Sequence, residues 1–178
     1  IDHGKNSKLV VDYLIELSKT TNCIFLKGNH EQLLLKILET RSQDDVEHWL
    51  LSGGVTTFDN YGDFPAIFNT HREFFENLIN YYIEDKYLFV HAGVNPDKDL
   101  TEQNEDDLLW IRTEFFNKPH KLPYKVIFGH TPFKEPLILD DKIGIDTGCG
   151  KEKGLPLTAL ICDDETFIST NKESIYAN

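Results

Sequence analysis

Phe25-Leu26-Lys27-Gly28-Asn29-His30-Glu31 reads as an apolar run, a glycine turn, and an Asn-His pair at the head of a helix. The run Cys23–Leu26 has the length and apolar character of a buried strand, and Gly28 marks its end. The same grammar recurs twice. Leu88-Phe89-Val90-His91-Ala92-Gly93 and Val126-Ile127-Phe128-Gly129-His130-Thr131-Pro132 each carry a histidine and a glycine just past an apolar run. Loops at the carboxyl ends of strands are where open α/β sheets keep their sites, held by the strands behind them. Glycine permits the tight turn and the close backbone approach. Three such loops are expected to serve one centre.

Outward from these loops, helices and strands alternate. Leu9, Val10, Tyr13, Leu14 and Leu17 recur at helical spacing, with Ser7 placed to cap. Leu33, Leu34, Ile37 and Leu38 predict a second helix, Val46 to Leu51 a third stopped by Gly53-Gly54, and Arg72 to Ile79 another. Tyr81–Ile83 and Tyr87–Val90 predict a strand pair turning at Glu84-Asp85-Lys86. Five runs follow: Val126–Phe128, Leu137–Leu139, Ile143–Ile145, Leu157–Cys162 and Phe167–Ser169, with a helix from Glu105 to Phe116 ahead of them. The expected fold is α/β, with two packed mixed β-sheets in a β-sandwich flanked by helices, as one domain over residues 1–178. The aromatics Phe74, Phe75, Tyr81 and Tyr82 read as core.

Composition narrows the function. The 178 residues hold 30 acids against 18 bases, a net charge of -12, with 40% apolar residues. That mixture buries a core, so disorder is excluded. The acid excess argues against nucleic acid and anionic lipid, whose phosphates need basic stripes. The run Asp97, Asp99, Glu102, Glu105, Asp106 and Asp107 reads as a solvated loop leading into a helix. No apolar run approaches the ~20 residues of a bilayer span. Three scattered cysteines make neither a disulfide framework nor a zinc cluster, which points to a reducing cytoplasmic setting. The chain has no Met and opens on Ile1, so it is expected to be N-terminally incomplete.

Imidazoles with an amide oxygen and no thiolate suit a first-row divalent metal such as Mn, Fe or Zn. His48, His71 and His120 lack the strand–loop setting and read as ordinary surface or helix residues. Gly28-Asn29-His30-Glu31, His91-Ala92-Gly93 and Gly129-His130-Thr131-Pro132 together resemble the ordered motifs of calcineurin-like metallophosphoesterases. Ile1-Asp2-His3-Gly4 resembles the tail of that family's Gly-Asp-Tyr-Ile-Asp-Arg-Gly motif. Gly53-Gly54 through Tyr61-Gly62, Leu109-Trp110-Ile111-Arg112 and Ile145-Asp146-Thr147-Gly148 extend the match in family order. The likeness is strongest to the bacterial and phage Ser/Thr protein phosphatase group.

The resemblance implies a two-metal phosphoester hydrolase in which a bridging hydroxide attacks phosphorus in line. It assigns Asn29, His91 and His130 to the second metal and His30 to protonation of the leaving oxygen. It assigns Asp2 to orienting His30, and Arg112 to gripping phosphate with its planar fork. The expected cofactors are two divalent ions, Mn first, with Fe or Zn as alternatives. The expected substrate is a phosphorylated protein; the alternatives are a dinucleoside polyphosphate, or a non-catalytic chain binding phosphate or a partner. That last alternative arises because the family's Gly-Asp-x-His-Gly motif and its bridging Asp are absent from these 178 residues. His3 stands where the family carries a phosphate-contacting Arg, which predicts weaker or altered substrate binding.

Three other readings compete. Asp146-Thr147-Gly148 looks like an aspartic-protease loop, but that chemistry needs a second carboxylate copy. His3-Gly4-Lys5-Asn6-Ser7 faintly suggests a phosphate loop without its upstream glycine. Cys149 lies in a glycine-rich turn with no histidine beside it in sequence, so an incidental role leads.

Overall fold

The computed structural model describes residues 1–151 and 154–170, and the backbone of 172–176. The chain falls into two compact units, residues 1–79 and 80–178.

The first unit is helical: α1 (Ser7–Ser18), α2 (Asn29–Thr40), α3 (Gln43–Trp49), α4 (Val55–Tyr61) and α5 (Phe64–Glu76). Its buried apolar residues include Val11, Leu33, Leu34, Ile37, Trp49, Ile67, Phe75 and Leu78. Cys23–Leu26 does not join a sheet. It is extended and makes one parallel bridge, Leu26 to Ile79, with Lys27 N–H donating to the Ile79 carbonyl at 2.8 Å. A ladder needs a neighbour running alongside for several residues, and only the short segment after α5 does so here.

Helix α1 differs from its expected face. Leu9, Val10 and Tyr13 are exposed, while Ser7 and Val11 are buried. Lys8 N–H reaches Asn60 Oδ1 in α4, and Asp12 reaches His71 in α5 at 3.0 Å. These polar ties turn the Ser7–Val11 face inward, overriding the apolar stripe. Ser7 is the first helical residue, and the cap position falls to Asn6. Two features absent from the sequence reading complete the unit. Helix α3 runs through a π-turn, Leu50–Gly54, into α4. Helix α5 starts at Phe64 rather than Arg72, with Asp63 Oδ1 accepting from Ala66 N–H at 2.7 Å and Pro65 in the first turn.

The second unit holds both sheets. Strands β1 (Tyr81–Glu84), β2 (Tyr87–Val90), β3 (Lys125–Phe128), β4 (Leu137–Ile138) and β5 (Lys142–Gly144) form a mixed sheet ordered β1-β2-β3-β5-β4. The three central strands are parallel, and both edge strands are antiparallel to their neighbours. Strands β6 (Thr158–Ile161), β7 (Thr166–Ser169) and β8 (Lys172–Tyr176) form a small antiparallel sheet, so the second sheet is not the mixed one expected. Strand alternation sorts the two faces. Leu88, Val90, Val126 and Phe128 pack with Leu108, Leu109, Ile111 and Phe115 from the helical side. Tyr87, Ile127 and Ile143 pack with Phe167 and Leu160 of the small sheet.

The expected helix Glu105–Phe116 breaks into α6 (Glu105–Trp110) and α7 (Thr113–Phe116). Ile111 turns extended and inserts into the core, which leaves Arg112 exposed at the head of α7. Lys142 secures the far end of α7. Its Nζ is buried and donates to the Phe115 and Lys118 carbonyls at 2.7 Å each. Those are carbonyls that a helix C-terminus leaves without intrahelical partners. Burial pushes the Lys142 ammonium down from its ordinary range, against the pull of Asp141.

Candidate active site

In the first unit, the turn at Asp2-His3 has two consecutive residues at positive φ, 68° and 51°. Such backbone costs of order 1–3 kcal/mol per residue and persists only where surroundings over-determine it. The surroundings here do. The Asp2 side chain is fully buried and accepts three hydrogen bonds. His30 Nδ1 lies 2.8 Å from Oδ2, Trp49 Nε1–H donates to Oδ2 at 3.0 Å, and Thr57 O–H donates to Oδ1 at 2.7 Å. Thr57 Oγ1 also accepts from the Asp2 backbone N–H at 3.0 Å.

His30 is the second residue of α2, and Asn29, the first, is buried. Glu31 closes the helix start by accepting from Gly28 N–H at 3.0 Å. His3 is exposed, its ring edge-on to His30 with centroids 4.9 Å apart. Asp2, His3 and His30 are thus brought together, with Asn29 next in the chain to His30.

In the second unit, the loops after β2 and β3 bring His91 and His130 together. His91 Nε2 and His130 Nδ1 are 3.2 Å apart, and Trp110 packs edge-on to His130. His130 adopts φ 65°, so the histidine after Gly129 is itself the left-handed turn residue. Arg112 Nη1 reaches the His130 carbonyl at 3.4 Å and Thr131 Oγ1 at 3.3 Å. The guanidinium therefore stands over the His130 loop while the residue remains exposed.

The pair of imidazole nitrogens can be tested for a cation. At metal–nitrogen distances near 2.0–2.1 Å, two ligands on one ion lie about 3.0 Å apart at right angles and about 3.4 Å apart at the tetrahedral angle. The observed 3.2 Å falls between these values, so the pair fits a first-row divalent ion. Among the described residues, no group of three or more His, Cys, Asp or Glu forms a metal cluster. The fit thus rests on two imidazoles, with any amide donor outside that count.

The competing motifs have structural employment. Asp146 Oδ1 accepts from Gly148 N–H at 2.8 Å in its own turn, and Thr147 Oγ1 bonds Thr158 at 2.7 Å. His48 is exposed on α3, in line with its reading. His71 is buried on helix α5, within the surface-or-helix reading, whereas the His120 side chain is buried outside any helix, unlike that reading. His71 joins α1, α4 and α5, while His120 lies flat against Phe115 and bonds the Asp141 carbonyl at 3.0 Å. Trp49 and Thr57 were missed as partners of Asp2. They lie 47 and 55 positions from it, and only the neighbouring Gly53-Gly54 signalled an unusual segment.

A mixed α/β sheet with histidine loops at its strand ends, and a buried Asp–His pair on a helix start, define a phosphoesterase framework. The chain belongs to the calcineurin-like phosphoesterase family, whose sequence profile matches residues 1–166. It is 27% identical to the asymmetrical bis(5'-nucleosyl)-tetraphosphatase PrpE of Anoxybacillus flavithermus, covering 89% of this chain and 71% of that protein. PrpE of Halalkalibacterium halodurans is 25% identical, with 94% and 74% covered. A crystal structure of a candidate diadenosine tetraphosphatase shares the fold at a TM-score of 0.70 and 21% identity, over 96% of this chain and 76% of that one.

Proposed function

We propose that this chain is a metal-dependent hydrolase of dinucleoside polyphosphates. Water adds to one phosphorus, and a phosphoanhydride P–O bond breaks to release a nucleoside monophosphate and a nucleoside triphosphate. The observation that carries the chemistry is the His30–Asp2 pair at 2.8 Å, with the carboxylate buried under three donors. The two PrpE relatives favour this substrate over the phosphoprotein that the motifs first suggest.

With Nδ1 committed to Asp2, Nε2 of His30 is the atom that hands a proton to the leaving oxygen. Arg112 binds the phosphate through its planar fork. His3, beside His30, takes the place of a second phosphate contact. His91 and His130 hold a divalent cation, Mn first, with Fe or Zn accommodated by the same nitrogen donors. Family resemblance adds Asn29 as a further donor, and a second cation to the site. When bound, such ions neutralise phosphate charge and acidify a water.

The test incubates the chain with Mn²⁺ and, separately, diadenosine tetraphosphate, a phosphoseryl peptide and para-nitrophenyl phosphate. The expected result is AMP and ATP from the tetraphosphate, with kcat lowered ~10²–10⁴-fold by His30→Asn. Preferential cleavage of the phosphopeptide points to a protein phosphatase instead. Tetraphosphate binding without turnover points to a non-catalytic chain.

A further inference from the structure

We infer that Trp49 and Thr57 are positioning residues that hold Asp2, and through it His30, in the reactive orientation; this rests on the reading of His30 as proton donor. Thr57 is fully buried and grips Asp2 twice, donating to Oδ1 at 2.7 Å and accepting from its backbone N–H at 3.0 Å. Trp49, also fully buried, donates to the same Oδ2 that faces His30. The carboxylate therefore has no rotational freedom about its χ angles without leaving a buried charge short of a donor. The same residues hold the Asp2 turn, whose φ of 68° lies in the left-handed region.

The π-turn supplies the space. Gly54 sits against the Trp49 indole so closely that a Cβ there would lie inside the ring's contact surface. At Gly53, φ is 114° and a Cβ would fall 2.8 Å from His3 Cε1. The Gly53-Gly54 pair therefore makes room for the indole on one side and for the His3 ring on the other. Helix α3, the π-turn and α4 act as one cradle, delivering a donor from each end to a single carboxylate.

The experiment compares the full chain with Trp49→Phe, Thr57→Val and Thr57→Ser in Mn²⁺, following tetraphosphate and para-nitrophenyl phosphate turnover. Loss of one donor to a buried charge predicts about a tenfold fall in kcat for Thr57→Val and Trp49→Phe, with KM within about twofold. Thr57→Ser keeps the hydroxyl and restores kcat to within about twofold of the parent. A second readout, recorded without the paramagnetic Mn²⁺, is the His30 Nδ1 proton by NMR, sharp and slow to exchange in the parent and Thr57→Ser, and broadened in Thr57→Val. If Trp49→Phe fails to fold, the Thr57 pair decides. Unchanged kcat and an unchanged Nδ1 signal in Thr57→Val overturn the inference. So does a Thr57→Ser variant as impaired as Thr57→Val. If the parent hydrolyses nothing, the functional proposal fails, and the Nδ1 signal alone judges the positioning of His30.

Discussion

Arg112 owes its placement to one residue, Ile111, which leaves the helix to bury its side chain and so ends α6 at Trp110, two positions before the arginine. The arginine then heads α7 and lies against the His130 loop through the long contacts to the His130 carbonyl and Thr131. Lysine at this position keeps the charge but loses the planar pair of donors that matches two phosphate oxygens. Arg112→Lys is therefore expected to raise KM for the tetraphosphate about tenfold or more while changing kcat by less than about threefold, in steady-state assays. An equal fall in kcat with KM unchanged assigns Arg112 to the transition state instead. The buried Asp2 belongs to the same scale: three donors converge on two oxygens, His30 and Trp49 on Oδ2 and Thr57 on Oδ1.

Between elements, polar side chains do much of the joining in the helical unit. Lys8 and Asp12 of α1, Tyr61 of α4 and His71 of α5 form one chain of contacts, at 2.9 Å, 3.0 Å and 2.6 Å. The neutral imidazole satisfies both ends, with Nε2–H donating to Asp12 and Nδ1 accepting from the Tyr61 hydroxyl. Burial pushes the Tyr61 phenol well up, so it remains a donor. Burial also lowers the His71 imidazole below its ordinary 6.5, outweighing the attraction of Asp12, while Lys8 opposes protonation further. Below pH 6.5 the unfolded chain gains a proton at this position that the folded chain resists. Stability from His71 is thus fully present above pH 6.5 and is lost as pH falls toward the lowered folded value. Melting temperature is expected to drop between pH 6.5 and 5, with a shallower drop in His71→Gln. Equal slopes in the two proteins assign the acid sensitivity to other groups.

At the scale of the whole molecule, the family profile runs across both compact units, and the net charge of -12 works against an anionic substrate. Cations held as proposed would offset that field. A ligand held only by the folded state stabilises it by about 2.7 kcal/mol at a hundredfold excess over Kd. Mn²⁺ is therefore expected to raise the melting temperature of the chain, EDTA to reverse the rise, and His91→Ala or His130→Ala to abolish it. A rise that survives both substitutions places the cation elsewhere. Among the described residues no helix is long and apolar enough to cross a membrane. Much of this was readable along the chain. The three loops announced themselves because glycine and histidine beside a short apolar run are local signals, and the strand pair at Tyr81–Val90 formed where expected because its apolar runs and turn are local too. Local pattern misjudged the exposed stripe of α1, the lone bridge at Cys23–Leu26 and the burial of the His120 side chain. Each of those depends on which polar group or strand lies opposite, and no spacing rule carries that information. The sequence by itself determined most of the helices and strands and which residues stand on each loop, since both follow from propensity and residue identity over a few positions. Only the tertiary structure decided that Trp49 and Thr57 close on Asp2, or that two imidazole nitrogens stand 3.2 Å apart. Those pairings span 39 to 55 residues of chain and exist only once the core has chosen what to bury.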